Sequence, residues 1–505
     1  MLKMTYDDIL IHLGEFGKYQ KILYGLVSIP AIFVAMFALS SVFLFGKQDF
    51  RCRFSEQKND TFDDEYNHTD LFQTSLNESI DKKEPKCVFI ENVTEISCPK
   101  WIYDKTIFTS TVNLLNDFVT KAFDLVCDRE TIPSHMNMAF FGGFFVASFT
   151  IGSVSDTIGR KPVMYIFLLI MFGSNIALPW APNILAFGIL RFLNGLSTFM
   201  RQRLCKSNAR NTAMEIVGPG KRIQAGTFIT FLWCIGEFIL CLFAYFIRNW
   251  QDLQLAITIP MATMLVLGFF IPESPRWLIV KGKTSAARQI LQKAAKTNKV
   301  DLPLDIISKN LTGEKEKAES AAVISMTYFG LTLSVGSLGG DIYINFLLSS
   351  FVELAGYISC LLLMDRIGRK RVHCGNLMIG GISCLLTIFP TLYAGASLKW
   401  TNTLLAMIGK FCISTTFAEL FPTVIRGFAM GSFNIGARVA VMISPYILNL
   451  SDLVDSSFGK ALPLIIFGSL GTIIAILSFN LPETLNEKLP ETLEDLLEAE
   501  SFKLA

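Results

Sequence analysis

The sequence predicts an all-α membrane protein with twelve transmembrane helices in two six-helix lobes and a large extracellular loop after helix 1. Three observations carry this prediction. Hydrophobic residues make up 51% of the 505 residues, and charged residues make up only 17%. Apolar runs recur along the chain, each close to the roughly 20 residues that a helix needs to cross a bilayer. Motifs of the first half also return in the second half.

Twelve apolar runs are the predicted spans, and long polar blocks follow the first and the sixth of them. The first run is too long for the core of a signal peptide, so it is predicted to remain as a transmembrane helix. The chain then divides into an N-terminal lobe (1–271, with the loop 46–134), a cytoplasmic linker (272–320), and a C-terminal lobe with a tail (321–505). The predicted spans are 22–45, 135–154, 162–180, 184–200, 224–247, 253–271, 321–340, 342–364, 372–394, 401–418, 427–449 and 459–481.

Paired motifs indicate an internal duplication. GSVSDTIGRK is matched by LLLMDRIGRK, IPESPRWL by LPETLNEKL, and EIVGPGKR by ELFPTVIR, with separations of 209, 210 and 204 residues between the paired acids. Parallel repeats of this kind occur in one class of transporter architecture. The paired acids are Asp156 and Asp365, Glu273 and Glu483, and Glu215 and Glu419.

Basic residues in the short loops set the predicted orientation. Arg160 and Lys161 lie between spans two and three, four cations lie between spans eight and nine, and 272–320 holds ten Lys and Arg against six acids. Short loops rich in Lys and Arg face the cytoplasm, so both termini are predicted to be cytoplasmic.

The block 46–134 then lies outside the cell. An even set of cysteines and four N-x-S/T sequons in one loop favour disulfides and glycosylation there, although a polar linker with chance sequons is the alternative. Four cysteines allow three pairings, and the sequence does not choose between them. The residues are Cys52, Cys87, Cys98 and Cys127, and Asn59, Asn67, Asn77 and Asn92.

The charged clusters at the cytoplasmic face are predicted to form a gate between the lobes. An acid near a helix end with cations just beyond it can form charge-assisted bonds to the neighbouring bundle, which would hold the inner face closed. The alternative is that the cations only anchor each turn at the lipid headgroups. The predicted gating residues are Asp156, Arg160, Lys161, Glu215, Arg222, Asp365, Arg369, Glu419 and Arg426.

These motifs resemble the signatures of the major facilitator superfamily, with GSVSDTIGRKP, RFLNG, IPESPRWL, MDRIGRK and ELFPTVIRG as the matching stretches. Within it, YDDILIHLGEFGKYQ, FAYFIRNW, LGGDIYINFLLSSFVE and the long first outer loop resemble the organic cation, carnitine and organic anion transporters. The resemblance implies a twelve-helix major facilitator fold, located in the plasma membrane. It also implies alternating access around a site at mid-membrane.

The resemblance places an arginine, Arg438, where cation-selective members carry an acid, and a tyrosine, Tyr357, where anion transporters tend to carry lysine. Both features favour a carnitine-like zwitterion or an organic anion as substrate. A guanidinium binds a carboxylate through two parallel hydrogen bonds. Ionisable residues inside a membrane are costly and are functional candidates by default.

Four further residues complete the predicted substrate site. Glu353 could pair with Arg438 or receive a substrate cation. Glu237 lies one turn from Trp233, whose ring could hold an ammonium group by cation–π attraction, and Glu237 could also bind a proton or Na⁺. The alternatives are an Arg438–Glu353 strut without ligand contact, an inert Glu237, and plain packing for Trp233, Tyr328 and Tyr357.

Two spans depart from the family pattern. Span four runs into MRQRLCKSNARN, where several cations follow Arg191, and span ten is expected to be short, with Lys410 inside it. These departures keep open a poorly folding, non-transporting variant.

Other functions are not indicated. A net charge of +2 does not point to nucleic acid, and the four histidines lack metal-ligand spacing, so no metal site is predicted. No catalytic constellation is present, so an enzyme is not expected, and no cofactor is expected beyond Na⁺ or H⁺ coupling. The sequence therefore predicts a secondary transporter of small organic ions in the lipid bilayer. The alternatives are a glycosylated surface protein that binds without translocating, and a sugar porter.

Overall fold

A computed structural model describes residues 13–14, 16–46, 48, 50–52, 88–91, 94–97, 101–103, 106–108, 112, 125, 127–210, 222–273, 275–300, 320–337, 340–393, 399–423, 429–453 and 457–479. This part of the chain is almost entirely helical. The exceptions are four short strands within the loop that follows the first span. They form two separate antiparallel pairs, β1 (Phe50–Cys52) with β4 (Trp101–Tyr103), and β2 (Val88–Glu91) with β3 (Thr94–Ser97).

The helices follow the predicted order of two lobes joined by a linker. The first lobe contains α1 (Lys18–Ser28), α2 (Pro30–Leu39), α3 (Ser41–Leu44), α4 (Ile132–Ile158), α5 (Arg160–Ala177), α6 (Ile184–Arg210), α7 (Arg222–Phe246), α8 (Trp250–Thr258) and α9 (Ala262–Phe269). The linker contains α10 (Pro275–Val280) and α11 (Thr284–Asn298). The second lobe contains α12 (Ser320–Leu333), α13 (Ile342–Ile367), α14 (Arg369–Leu386), α15 (Ile388–Tyr393), α16 (Lys399–Thr423), α17 (Ala429–Leu453) and α18 (Ser457–Ser478).

Seven helical segments in the described part of the chain are long and apolar enough to cross a membrane, and three shorter apolar helices accompany them. Many of their large apolar side chains face outward, for example Phe246 and Phe269, both 72% exposed. In a bilayer such outward apolar faces contact lipid, so this pattern agrees with the predicted membrane protein.

Several predicted spans differ in their boundaries. Span one is divided at Pro30, because proline lacks the backbone N–H that a continuous helix needs, and span six is similarly divided around Pro260. Span four does not end at 200, since α6 continues to Arg210. The expectation of a short span ten is wrong: α16 has 25 residues.

The two copies of the repeated D-x-x-G-R-K motif have the same backbone geometry. Gly159 and Gly368 each link two helices with positive φ values, 109° and 107°. Glycine reaches this region without steric cost, whereas other residues are strained there. The internal duplication read from the sequence is therefore present in the conformation of the chain at both turns.

Glycines allow the helices within each lobe to pack closely. A Cβ at Gly195 of α6 would lie 1.9 Å from the Phe140 carbonyl oxygen of α4, and one at Gly236 of α7 would lie 2.3 Å from the Ile32 carbonyl oxygen of α2. Small residues at such contacts are typical of membrane helix bundles.

The lobes meet along two pairs of helices. On one side, Ser134 Oγ of α4 donates to the Pro445 carbonyl of α17 at 3.3 Å, and the His135 and Tyr446 rings meet edge to face. On the other side, α7 packs along α13, where the Phe238 and Phe351 rings are 4.7 Å apart. This second seam carries the candidate functional site.

The linker helices pack against the start of the chain. Leu13 lies in an apolar cluster with Trp277 and Leu291, and Asn298 at the end of α11 accepts a hydrogen bond from the Tyr19 N–H at 2.9 Å. The Asn298 amide also donates to the Leu13 carbonyl oxygen at 3.0 Å. The predicted linker 272–320 thus contains an ordered, docked helical unit.

Candidate functional site

A buried ion pair lies within the second lobe. Lys410 Nζ of α16 is 2.8 Å from Glu353 Oε2 of α13, and the two side chains are 2% and 0% exposed. Taking two charges out of water costs several kcal/mol per ion, and good geometry with further hydrogen bonds is needed to repay it. Such a pair at the centre of a helix bundle therefore needs a reason beyond stability.

The remaining contacts of Lys410 hold the ammonium in place. It donates to Thr332 Oγ1 of α12, and it lies 4.0 Å from the centre of the Tyr328 ring, within cation–π distance. Thr332 itself donates to the Tyr328 carbonyl oxygen at 2.8 Å. The lysine thus joins α16, α12 and α13 at one point.

Two tyrosines satisfy the other oxygen of the carboxylate. Tyr328 Oη of α12 and Tyr357 Oη of α13 each donate to Glu353 Oε1 at 2.5 Å. Tyr357 reaches it because residues four apart lie on the same face of a helix. Both tyrosines are 1% exposed, so the carboxylate is enclosed by phenol groups on one side and an ammonium on the other.

A second carboxylate comes from the first lobe. Glu237 of α7 is 2% exposed and accepts a hydrogen bond from Trp233 Nε1 at 2.9 Å. Carboxylate oxygens of Glu237 and Glu353 lie within 4.8 Å of each other. Among the described side chains of this cluster, two carboxyl groups therefore share one cation, Lys410, which leaves the site able to take up another positive charge.

The structure brings five of the six predicted substrate-site residues together: Trp233, Glu237, Tyr328, Glu353 and Tyr357. The side chain of the sixth, Arg438, lies outside the described residues. The expected pairing of Glu353 with Arg438 is replaced, within the described part of the chain, by a pairing with Lys410.

Sequence reasoning missed Lys410 as a site residue and took it as a departure in span ten. The signal was present, because a lysine inside an apolar span has the same cost as the glutamates that were selected. The rule that makes intramembrane ionisable residues functional candidates applies equally to Lys410, and the structure shows which acid accompanies it.

At the cytoplasmic end of the first lobe, Lys161 contacts the stretch that leads into the linker. Its backbone N–H donates to Glu273 Oε2 at 3.1 Å, and its Nζ donates to the Phe269 carbonyl oxygen at 3.3 Å. Glu273, known from the sequence only as part of a repeated motif, thus receives the turn of the charged cluster. The other predicted gating side chains lie outside the described residues: Asp156, Arg160, Glu215, Arg222, Asp365, Arg369, Glu419 and Arg426.

In the predicted extracellular loop, Cys127 is disulfide-bonded. The side chains of Cys52, Cys87 and Cys98 lie outside the described residues, as do Asn59, Asn67, Asn77 and Asn92, so the pairing and the glycosylation stay predictions.

Comparisons with known proteins agree with this picture. A family model described as "Sugar (and other) transporter" matches residues 102–495. The chain is 33% identical to the organic cation transporter protein of Drosophila melanogaster, with 97% of this chain and 94% of the relative covered. It is 30% identical to human organic cation/carnitine transporter 2, with 99% and 95% covered.

Solved structures with a similar fold are more distant in sequence. The xylose transporter XylE from E. coli, in a partially occluded inward open conformation, has a TM-score of 0.62 at 14% identity and covers 93% of this chain and 100% of its own. The inward open conformation of the same protein gives 0.61, also at 14% identity, with 94% and 99% covered. At this identity the likeness concerns the fold alone.

Proposed function

Since the chain belongs to the sugar (and other) transporter family of the major facilitator superfamily, among the organic cation and carnitine transporters, we propose that it moves small organic ions across the plasma membrane by alternating access. The observation that carries this proposal is the buried cluster of Glu353, Lys410 and Glu237 at the seam between the lobes. A site between two lobes is the place that a rocking motion exposes to each side in turn.

The chemistry of the cluster favours a substrate that carries an ammonium group. Glu237 and Glu353 offer negative charge, and the rings of Trp233, Tyr328 and Tyr357 offer faces that attract cations. A quaternary ammonium has no N–H to donate, so charge and ring faces are the contacts left to it. The cation end of a substrate is therefore proposed to lie between Glu237 and Glu353.

Lys410 is proposed to act as a counter-ion that competes with the substrate. In its absence the ammonium of Lys410 neutralises Glu353, and an arriving substrate cation takes over that role. Lys410 keeps its contacts with Thr332 and the Tyr328 ring, and its charge becomes available to a substrate carboxylate. Together with Arg438, this would suit a carnitine-like zwitterion.

Ion coupling and topology belong to the same proposal. Glu237 has no cation of its own among its printed hydrogen-bond partners and is proposed to receive a coupling H⁺ or Na⁺ when the substrate is absent. Both termini are proposed to be cytoplasmic, with the loop 46–134 outside, as the basic short loops indicate.

A competition uptake panel in cells that express the chain tests this function. Labelled carnitine, tetraethylammonium and benzoate would be compared at varied Na⁺ and pH, with xylose as the probe for a sugar porter. We expect saturable uptake of carnitine and tetraethylammonium. Uptake of xylose alone would contradict the proposal, and surface binding without accumulation would favour a non-translocating binding protein.

A further inference from the structure

A free cysteine lies beside the two carboxylates. Cys234 of α7 is buried, 0% exposed, and it is not in a disulfide. Its sulfur, a carboxylate oxygen of Glu237 and a carboxylate oxygen of Glu353 all lie within 4.8 Å of one another. Cys234 and Glu237 are three residues apart on one helix, and Glu353 faces them from the other lobe.

We propose that Cys234, Glu237 and Glu353 form a binding site for a soft divalent metal ion, such as Cd²⁺ or Zn²⁺, at the seam between the lobes. Sulfur and carboxylate ligands are a combination that Zn²⁺ accepts, and three protein ligands leave a fourth position for water. Thiolate sulfur also selects against hard ions such as Mg²⁺ and Ca²⁺, which prefer oxygen ligands alone.

A second observation supports a ligand at this point. Glu353 Oε2 accepts no hydrogen bond from the described residues, and its close positive neighbour is the Lys410 ammonium. A lone pair in such a buried position is able to coordinate a metal ion. On binding, the Cys234 thiol loses its proton to water and its sulfur donates an electron pair to the metal.

Metal binding and the Lys410 ammonium oppose each other. The metal ion would place two positive charges beside Nζ, so the lysine must move away from Glu353 toward its contacts with Thr332 and the Tyr328 ring. Replacing Lys410 by methionine removes this opposition, and it should tighten the binding of Cd²⁺.

The metal would also join the two lobes. Cys234 and Glu237 belong to α7, whereas Glu353 belongs to α13, so one ion with ligands from both helices holds this seam closed. If transport requires the seam to open, Cd²⁺ inhibits it. This effect rests on the proposed function, whereas the binding of the metal does not.

Equilibrium dialysis with radioactive cadmium and the full-length protein in detergent, without reductant, tests the site. Wild type and Cys241→Ser, a buried cysteine further along α7, should bind one Cd²⁺ with equal affinity. Cys234→Ser and Glu237→Gln should each weaken binding at least about tenfold, and Lys410→Met should strengthen it. Equal binding by Cys234→Ser and wild type, or no binding by wild type, would overturn the proposal.

A transport arm separates this proposal from the proposed function. Cd²⁺ should block tetraethylammonium uptake by wild type and by Cys241→Ser, and Cys234→Ser should resist the block. Cadmium bound in dialysis by a protein that transports nothing would sink the transport function and keep the metal site. Uptake that Cd²⁺ blocks equally in wild type and in Cys234→Ser would contradict the lobe-joining role.

Discussion

At the scale of single residues, Glu353 is the centre of the molecule. It is 0% exposed and contacts a lysine and two tyrosines that come from α12, α13 and α16. Each partner satisfies a different part of the carboxylate. Removing one partner leaves a buried charge exposed to a medium that solvates it poorly, so substitutions here should cost more than the contact itself.

Lys410→Met should destabilise the fold by about 3–5 kcal/mol, because it leaves Glu353 as an uncompensated buried charge. The double variant Glu353→Met with Lys410→Met should regain most of that stability, since an apolar pair is often as stable as a buried ion pair. Both should lose uptake. Thermal unfolding in detergent measures the stability, and Lys293→Met, on the exposed face of α11, is the control. A double variant less stable than the single one would contradict the account.

Tyr357→Phe should lower stability by about 1.5–3 kcal/mol, the usual loss of a hydrogen bond to a charged group. Since Tyr328 still donates to the same oxygen, uptake should persist with a raised half-saturation concentration for tetraethylammonium. Tyr393→Phe, at a side chain that is 82% exposed, should change neither quantity. Uptake kinetics and thermal unfolding together decide the matter, and an unchanged half-saturation concentration would speak against a Tyr357 contribution.

At the scale of helices, close packing between α4 and α6 depends on the absence of a side chain. Gly195→Val would drive a Cβ into the Phe140 carbonyl, 1.9 Å away, so the two helices must separate. We expect strongly reduced folded protein, measured by size-exclusion chromatography after solubilisation. Gly173→Ala on α5 is the matched control, because nothing lies within 4 Å of its Cβ, and it should express normally.

The turn between α4 and α5 is predicted to need the carboxylate of Glu273. Glu273→Gln keeps the shape of the side chain but removes the charge-assisted hydrogen bond from the Lys161 N–H. Uptake should fall severalfold at unchanged surface expression, measured by surface biotinylation with parallel uptake. Asp252→Asn, at an exposed position in α8, is the control. Full activity of Glu273→Gln would remove Glu273 from the gate.

The helices also show which features a sequence can reveal. Apolar length predicted the positions of the spans, and the repeated motifs predicted the shared geometry at Gly159 and Gly368. The end of α6 was missed, because a helix that continues into water is no longer marked by apolar residues. Span ten was judged short because counting stopped at its polar end, whereas α16 continues to Thr423.

At the scale of the whole molecule, the two lobes contribute different parts of one site. The sequence singled out Glu237 and Glu353 because each is an acid in an apolar span. It could not show that they face each other across the seam, or that Lys410 rather than Arg438 lies next to Glu353 in the described part of the chain. Those facts depend on how α7, α12, α13 and α16 pack, which residue spacing within one helix does not fix.

Uptake by the purified chain in proteoliposomes tests the central claim most directly, because no other transporter is present. Wild type should accumulate labelled tetraethylammonium and carnitine in a saturable way, and Glu353→Gln, with its folded state checked by thermal unfolding, should accumulate neither. If folded wild type accumulated no organic cation or zwitterion, or if Glu353→Gln carried both as well as wild type does, the proposed site would be contradicted.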